Sequence, residues 1–139
     1  MIFLSQVLVA HFVADWVLQS NWMALNKSKR WDALAWHVLV YGAGLFFLTL
    51  GMVYPGDLAR WVGFNMAIHY FQDAFTSRMT SRLWFIKLLE PKSTTMKGVG
   101  WVWCKPDLEK RHWFFVAIGL DQMLHYLTLF WTAKWLLGV

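Results

Sequence analysis

Residues 33–53 read ALAWHVLVYGAGLFFLTLGMV, a stretch that contains no Asp, Glu, Lys or Arg. An α-helix needs about 20 apolar residues to cross the hydrocarbon core of a bilayer, so this stretch predicts a transmembrane helix. Three further apolar segments predict crossings at residues 2–25, 58–79 and 112–137. Residues 54–57, Tyr-Pro-Gly-Asp, are a turn signal between the second and third segments. The sequence therefore predicts an all-α, polytopic membrane protein with four transmembrane helices.

The composition of the chain also favours a membrane protein. Of its 139 residues, 58% are hydrophobic, 19% are aromatic and only 15% are charged, whereas soluble domains carry about 25% charged residues. This length predicts a single helical-bundle domain over residues 1–139. A water-soluble four-helix bundle is the alternative, but residues 33–53 offer no charged face to water.

Basic residues are concentrated in two connecting loops. Of the 13 Lys and Arg residues, 11 lie in residues 26–32 and 78–111. Four crossings place both loops on one side of the membrane, and the positive-inside rule makes that side cytoplasmic, with both termini outside. The second loop contains a predicted short interfacial helix at residues 81–90, which Pro91 ends. We therefore attribute the net charge of +5 to membrane topology and expect no nucleic-acid partner.

Histidine and aspartate recur at a spacing of four residues inside the apolar segments. The pairs are His11 with Asp15, His69 with Asp73, and Asp121 with His125. This spacing places both members of a pair on one face of a helix. Ionisable groups are costly in an apolar medium, so a shared site explains them better than isolated hydrogen bonds between helices.

Helix rise predicts the depth of these groups in the membrane. Asp15, His69 and Asp121 are expected near the middle. His37 and Asp73 are expected toward the cytoplasm, and His11 and His125 toward the outside. The groups would then form a polar axis that opens toward the cytoplasm.

Imidazole and carboxylate groups are the ligands of zinc and similar ions, and helical bundles hold such ions between facing helices. We therefore predict a divalent metal site, with zinc as the first choice and manganese or iron as alternatives. The predicted ligands are His11, Asp15, His37, His69, Asp73, Asp121 and His125. One ion and two ions both remain open. Five nearby side chains are predicted to support the ligands: Gln19, Tyr41, Asn65, Gln122 and His112.

A metal ion with an open coordination position activates water for hydrolysis. Asp15 or Asp121 would then be the catalytic general base. Three arginines near the cytoplasmic surface are candidates for binding a phosphate or a lipid headgroup: Arg78, Arg82 and Arg111. The leading hypothesis is a membrane-embedded, metal-dependent hydrolase that acts on a phosphate-containing or lipid substrate.

Two other functions stay open at this stage. The same His and Asp side chains would serve a protein that conducts protons or metal ions. A non-catalytic membrane module, in which the basic loops recruit a partner, is the third hypothesis. The lipid bilayer is a partner under all three, and the aromatic apolar surface is compatible with a homo-oligomer.

Two stretches of the chain carry a resemblance, HFVADWVLQSNW at residues 11–22 and HWFFVAIGLDQMLH at residues 112–125. With His37, His69 and Asp73 between them, they resemble a family of small bacterial and phage integral-membrane proteins known as a domain of unknown function. The resemblance covers nearly the whole chain and implies the bacterial inner membrane. The chain is similar, more distantly, to prophage inner-membrane proteins described as metal-dependent hydrolases. Helical zinc phospholipases C hold zinc with comparable H-x-x-x-D steps, which is an analogy of chemistry alone.

Overall fold

The structure, a computed structural model, describes residues 2–86 and 112–138. These residues form five α-helices and one π-helical turn. The elements are α1 (Ile2–Phe12), the π-turn (Val13–Val17), α2 (Asn21–Asn26), α3 (Trp31–Thr49), α4 (Pro55–Ile86) and α5 (His112–Leu137). Within these described ranges there is no strand, which confirms the all-α class.

The first helix changes its winding and then stops. The backbone N–H of Leu18 donates to the carbonyl of Val13 at 2.9 Å, a bond five residues back that defines the π-turn. The next helix, α2, begins after Ser20, whose Oγ accepts a hydrogen bond from the N–H of Met23 at 3.3 Å. The single helix expected over residues 2–25 is therefore wrong, because this cap starts a new helix inside it.

Helix α3 begins two residues before the predicted segment and ends at Thr49. The chain turns at Gly51, whose φ of 87° lies in the left-handed region that favours glycine. Pro55 then occupies the first position of α4, where its missing N–H costs nothing. This turn reverses the chain and sets α4 beside α3.

Helix α4 is longer than the sequence predicted. It continues from the segment at 58–79 through Ile86, so residues 81–86 are not the start of a separate interfacial helix. The sequence from 78 to 90 contains no Gly or Pro that would end the helix earlier. The remainder of the predicted interfacial helix, residues 87–90, lies outside the described residues.

Four long elements form a closed ring around the core. Helix α4 lies between α3 and α5, α1 packs against α3, and α1 also contacts α5. At the end of the bundle that holds the first turns of α1, the core is mostly apolar. Its fully buried side chains there include Val7, Leu45, Leu58 and Trp61.

Two helices of the described part, α3 and α5, are long and apolar enough to cross a membrane. Phe3–Val17 is a shorter apolar stretch, and α4 carries charged residues such as Asp57, Arg60 and Asp73 along its length. The structure thus gives weak support for a membrane protein, and four crossings remain a prediction.

Two glycines of α3 allow neighbouring elements to approach closely. A Cβ on Gly42 would lie 2.2 Å from the sulfur of Met66 on α4. A Cβ on Gly44 would lie 2.9 Å from the Cβ of Ala14 and 2.9 Å from Leu18. Ala14 and Leu18 flank Asp15, so the contact at Gly44 fixes the position of the π-turn.

We expect Gly44→Ala to destabilise the protein by about 1–3 kcal/mol, because overpacking forces the backbone at Ala14 to shift. Thermal unfolding of the detergent-solubilised protein, followed by circular dichroism, measures this. Gly63→Ala is the matched control, since a Cβ there meets nothing within 4 Å and alanine favours the helix by up to about 1 kcal/mol. Equal stability of the two variants would contradict the packing role of Gly44.

Candidate metal centre

Two histidines and two aspartates from three elements meet in the middle of the bundle. Asp15 comes from the π-turn, His37 from α3, and His69 and Asp73 from α4. All four are buried, with at most 4% of each exposed. The His37 Nε2 lies 3.0 Å from Asp15 Oδ1, 3.2 Å from Asp73 Oδ2 and 3.2 Å from His69 Nε2. We call these four residues the primary cluster.

The spacing of the primary cluster fits one metal ion. One ligand atom from each residue lies within 4.8 Å of the other three. Ligands bound at about 2.1 Å to one zinc ion lie about 3.0–3.4 Å from each other at octahedral or tetrahedral angles. Asp15 Oδ1 is buried, and although His37 Nε2 lies 3.0 Å away, no donor among the described residues is aligned for a hydrogen bond to it. A cation between these atoms would satisfy that oxygen.

Lys27 supplies a positive charge at the edge of the primary cluster. Its ammonium donates to Asp73 Oδ2 at 2.8 Å and lies 3.3 Å from His37 Nε2. Burial by itself lowers the pKa of Lys27, but the carboxylates of Asp73 and Asp15 outweigh it and raise this pKa above its ordinary value. The lysine is therefore charged and partly neutralises the two aspartates.

No pattern in the sequence indicated that Lys27 belongs to the site, because membrane topology already explains a lysine in a basic loop. It reaches the cluster because the chain breaks after the π-turn. The short helix α2 then brings residue 27 back toward the bundle. Such a return depends on tertiary structure and has no periodic signal in the sequence.

Asp121 and His125 lie on the other side of Asp73. The His125 Nε2 is 3.5 Å from Asp73 Oδ1, and one ligand atom from each of Asp73, Asp121 and His125 lies within 4.8 Å of the other two. Asp121 was expected at the depth of Asp15 and His69. The structure groups Asp121 with His125 and Asp73, and Gln122 links it to Asp15 by donating to both carboxylates.

His11 lies beside the primary cluster and is linked to it mainly through Gln122. Its Nε2 lies 3.3 Å from Gln122 Oε1 and 3.8 Å from Asp15 Oδ2. The Gln122 amide in turn donates to Asp15 Oδ2 at 3.1 Å. The ring of Tyr41 stacks on His69 with a centroid distance of 4.0 Å. Gln122 and Tyr41 thus contact ligand candidates directly.

A cavity of about 150 Å³ opens beside the primary cluster. Asp15, Asp73, Lys27 and Asp121 line it together with Gln19 and Gln122. The Gln19 Oε1 is buried and has no hydrogen-bond partner in the described part of the chain. The cavity gives small molecules a route to both predicted catalytic aspartates.

Two predicted supporting residues lie elsewhere. Asn65 donates to the carbonyl of Trp61 at 2.8 Å and accepts from the Thr132 hydroxyl at 3.0 Å, which places it in a network one helical turn from His69. His112 is exposed at the first residue of α5, with its ring 5.5 Å from that of Trp113. Neither has a described contact with the primary cluster.

Of the three arginines predicted to bind phosphate or a headgroup, two lie in the described part of the chain. Arg78 and Arg82 line a separate cavity of about 330 Å³ on α4. The guanidinium of Arg78 lies 4.0 Å above the ring of Trp31, a cation–π contact. Arg111 lies outside the described residues.

The fold and the site define a helical bundle with a buried group of His and Asp side chains that could hold a metal ion. The chain belongs to the family described as protein of unknown function (DUF3307), whose model matches residues 3–138. No curated protein and no solved structure shows a significant match to it. The family match confirms the resemblance to a domain of unknown function and adds no activity.

We expect Lys27→Met to destabilise the metal-free protein by about 2 kcal/mol, since it leaves buried carboxylates without their cation and the lysine is itself only partly exposed. Added Zn²⁺ or Mn²⁺ should restore more stability to this variant than to the wild type, because the ammonium no longer competes for Asp73. Thermal unfolding with and without the ion measures both effects. Lys29→Met, at an exposed position two residues away, is the control. An unchanged response to metal would contradict the competition.

Proposed function

We propose that the protein is a membrane-embedded, metal-dependent hydrolase that acts on a phosphate-containing or lipid substrate. The observation that carries this proposal is the primary cluster, in which one ligand atom from each of two imidazoles and two carboxylates lies within 4.8 Å of the other three. Zinc is the favoured ion because it accepts this mixture of nitrogen and oxygen ligands, and manganese and iron are the alternatives. The ion would supply a water molecule of lowered pKa to attack an ester.

The polarity of the bundle supports a location in a membrane. The buried residues include ten that are polar or charged, among them all the members of the primary cluster. Large apolar side chains instead face outward on the long helices. Phe47 is 71% exposed, Phe71 is 72% exposed and Trp131 is 61% exposed. Apolar surface of this extent marks contact with lipid or with another protein, and we assign it to the lipid of a bacterial inner membrane.

The basic loops give the proposed orientation. Helices α1, α3, α4 and α5 would each cross once, with both termini outside and residues 26–32 and 78–111 in the cytoplasm. The cavity beside the primary cluster is lined by Lys27, Ser77 and Thr80, which lie toward these loops. Substrate would therefore enter from the cytoplasmic leaflet.

Side chains of the cavity suggest how a substrate would be handled. Asp15 and Asp121 both line it, so either carboxylate would be able to take a proton from water there. Lys27 offers its ammonium to an anionic group once Asp73 is held by an ion. Arg78 and Arg82, farther along α4, would hold a phosphate at the membrane surface.

The opposite end of the bundle disfavours a conductor, the second candidate function. One and two turns beyond the primary cluster, Tyr41, Leu45 and Trp61 are at most 1% exposed. The Trp61 indole N–H donates to the Thr132 hydroxyl at 3.0 Å, so the polar groups there are bonded to each other. Conduction needs a polar path that reaches both membrane surfaces. This packing instead supports an enzyme whose site opens on one side of the membrane.

Membrane insertion is tested by Leu127→Asp. Leu127 lies near the middle of α5 and is 56% exposed. In a bilayer the carboxylate should cost about 3 kcal/mol and strongly reduce the amount of protein in the membrane fraction. His112→Asp, at the exposed start of the same helix, should have little effect. In a water-soluble bundle, an exposed substitution would change stability by only about 0.5 kcal/mol, so normal yield of Leu127→Asp would contradict the membrane assignment.

The metal centre is tested by elemental analysis of the protein purified in detergent. We expect at least one equivalent of zinc, manganese or iron in the wild type and its loss in Asp15→Ala and His69→Ala, because both remove ligands of the primary cluster. His112→Ala should retain the ion. A folded wild type without metal would contradict the hydrolase.

The metal-loaded protein is then assayed on a soluble phosphodiester and on phospholipid vesicles. Turnover of the first alone indicates a soluble phosphate ester, and turnover of the second indicates a lipid. Proton and metal-ion flux in liposomes is the parallel assay. Flux without hydrolysis would replace the enzyme with a conductor.

A further inference from the structure

We propose that the protein binds a second metal ion at Asp73, Asp121 and His125, with Asp73 bridging the two ions. This inference rests on the proposed function, because it takes the primary cluster as the first ion site. It goes further by assigning a two-ion centre and dividing the ligands between the ions.

The two carboxylate oxygens of Asp73 face different groups. Oδ2 lies 3.2 Å from His37 Nε2 and 2.8 Å from the ammonium of Lys27. Oδ1 lies 3.5 Å from His125 Nε2. Asp73 is 2% exposed, so its carboxylate is largely withdrawn from bulk water. A carboxylate with one oxygen toward each of two ligand groups has the arrangement of a bridging ligand.

The hydrogen bond of His125 fixes which of its nitrogens is free. Its Nδ1 lies 2.8 Å from the backbone carbonyl of Asp121. A carbonyl oxygen only accepts hydrogen bonds, so Nδ1 carries the proton. In the neutral ring, Nε2 then presents a lone pair to Asp73 Oδ1, which also has only lone pairs. Two lone pairs that face each other in a buried site repel unless Nε2 is also protonated or a metal cation lies between the two atoms.

No described side chain supplies this cation. The His125 Nε2 and the Asp121 Oδ1 are both buried without a hydrogen-bond partner among residues 2–86 and 112–138. His125 is 2% exposed, and its free nitrogen is directed at Asp73. Lys27, the cation of the site, is bonded to the other oxygen of Asp73. The unsatisfied atoms on the Oδ1 side therefore indicate a second ion.

A second ion would change the chemistry available to the site. Two ions about 3.5–4 Å apart hold the attacking and the leaving oxygen of a phosphoryl group, as in phosphatases and nucleases. The 150 Å³ cavity is lined by Asp121 and by Asp73, so a ligand in it reaches both groups. Within the proposed hydrolase, this arrangement favours a phosphate ester over a carboxylic ester.

The test uses Mn²⁺ and the full-length protein in detergent. We expect the wild type to bind two equivalents by elemental analysis and to show an exchange-coupled spectrum by electron paramagnetic resonance. His125→Ala should bind half as much and give the spectrum of isolated Mn²⁺. Asp121→Asn, which keeps the side-chain shape, should show the same halving and guards against misfolding of the first variant. His112→Ala is the control and should match the wild type.

Three outcomes are distinguishable. Two coupled ions that fall to one in both variants support the second site. One ion in the wild type that persists in His125→Ala and Asp121→Asn overturns the second site and leaves the primary cluster intact. No bound ion in a folded wild type overturns the proposed function and this inference together.

Discussion

The burial of two negative charges in an apolar bundle is the constraint on which the structure depends. Asp15 and Asp73 are at most 4% exposed and both lie close to His37 Nε2. Carboxylates in such surroundings are tolerated only with a cation or several hydrogen-bond donors nearby. The π-turn, α3 and α4 must therefore lie close together at this point, and Lys27 must reach it as well. The packing of the bundle follows from this meeting as much as from its apolar contacts.

Lys27 reconciles a stable metal-free protein with a site suited to metal. Its ammonium is bonded to the oxygen of Asp73 that faces the primary cluster, so it occupies part of the space that an ion would use. A lysine side chain is a long, flexible stem with a compact charge, and Lys27 lies beyond the short helix α2 rather than on a long helix. A flexible side chain at this position can change its conformation more easily than one held along a long helix.

The spacing of four residues predicted which groups share a helix face and singled out Asp15, His69 and Asp73. His37 has no such partner and was singled out because it lies in an apolar stretch. This reasoning could not predict which faces meet. The π-turn adds a residue to the turn that carries Asp15, and Asp15 then faces His37 while His11 contacts Gln122. The π-turn and the approach of Lys27 to the primary cluster both depend on tertiary packing, which a sequence pattern does not show. Asn65 has the right spacing from His69, but its amide is bonded to Trp61 and Thr132.

The two ends of the bundle differ in a way that bears on function. Toward the basic loops, α4 continues past Asp73 with Ser77, Thr80 and then Arg82, and the first two line the cavity. Toward the other end, Trp61 and Leu45 are fully buried in the core. A conductor would need its hydrated path to continue through this packing, whereas an enzyme that receives its substrate from one leaflet needs it closed. The asymmetry therefore favours a catalytic site at the primary cluster over a path that conducts ions through it.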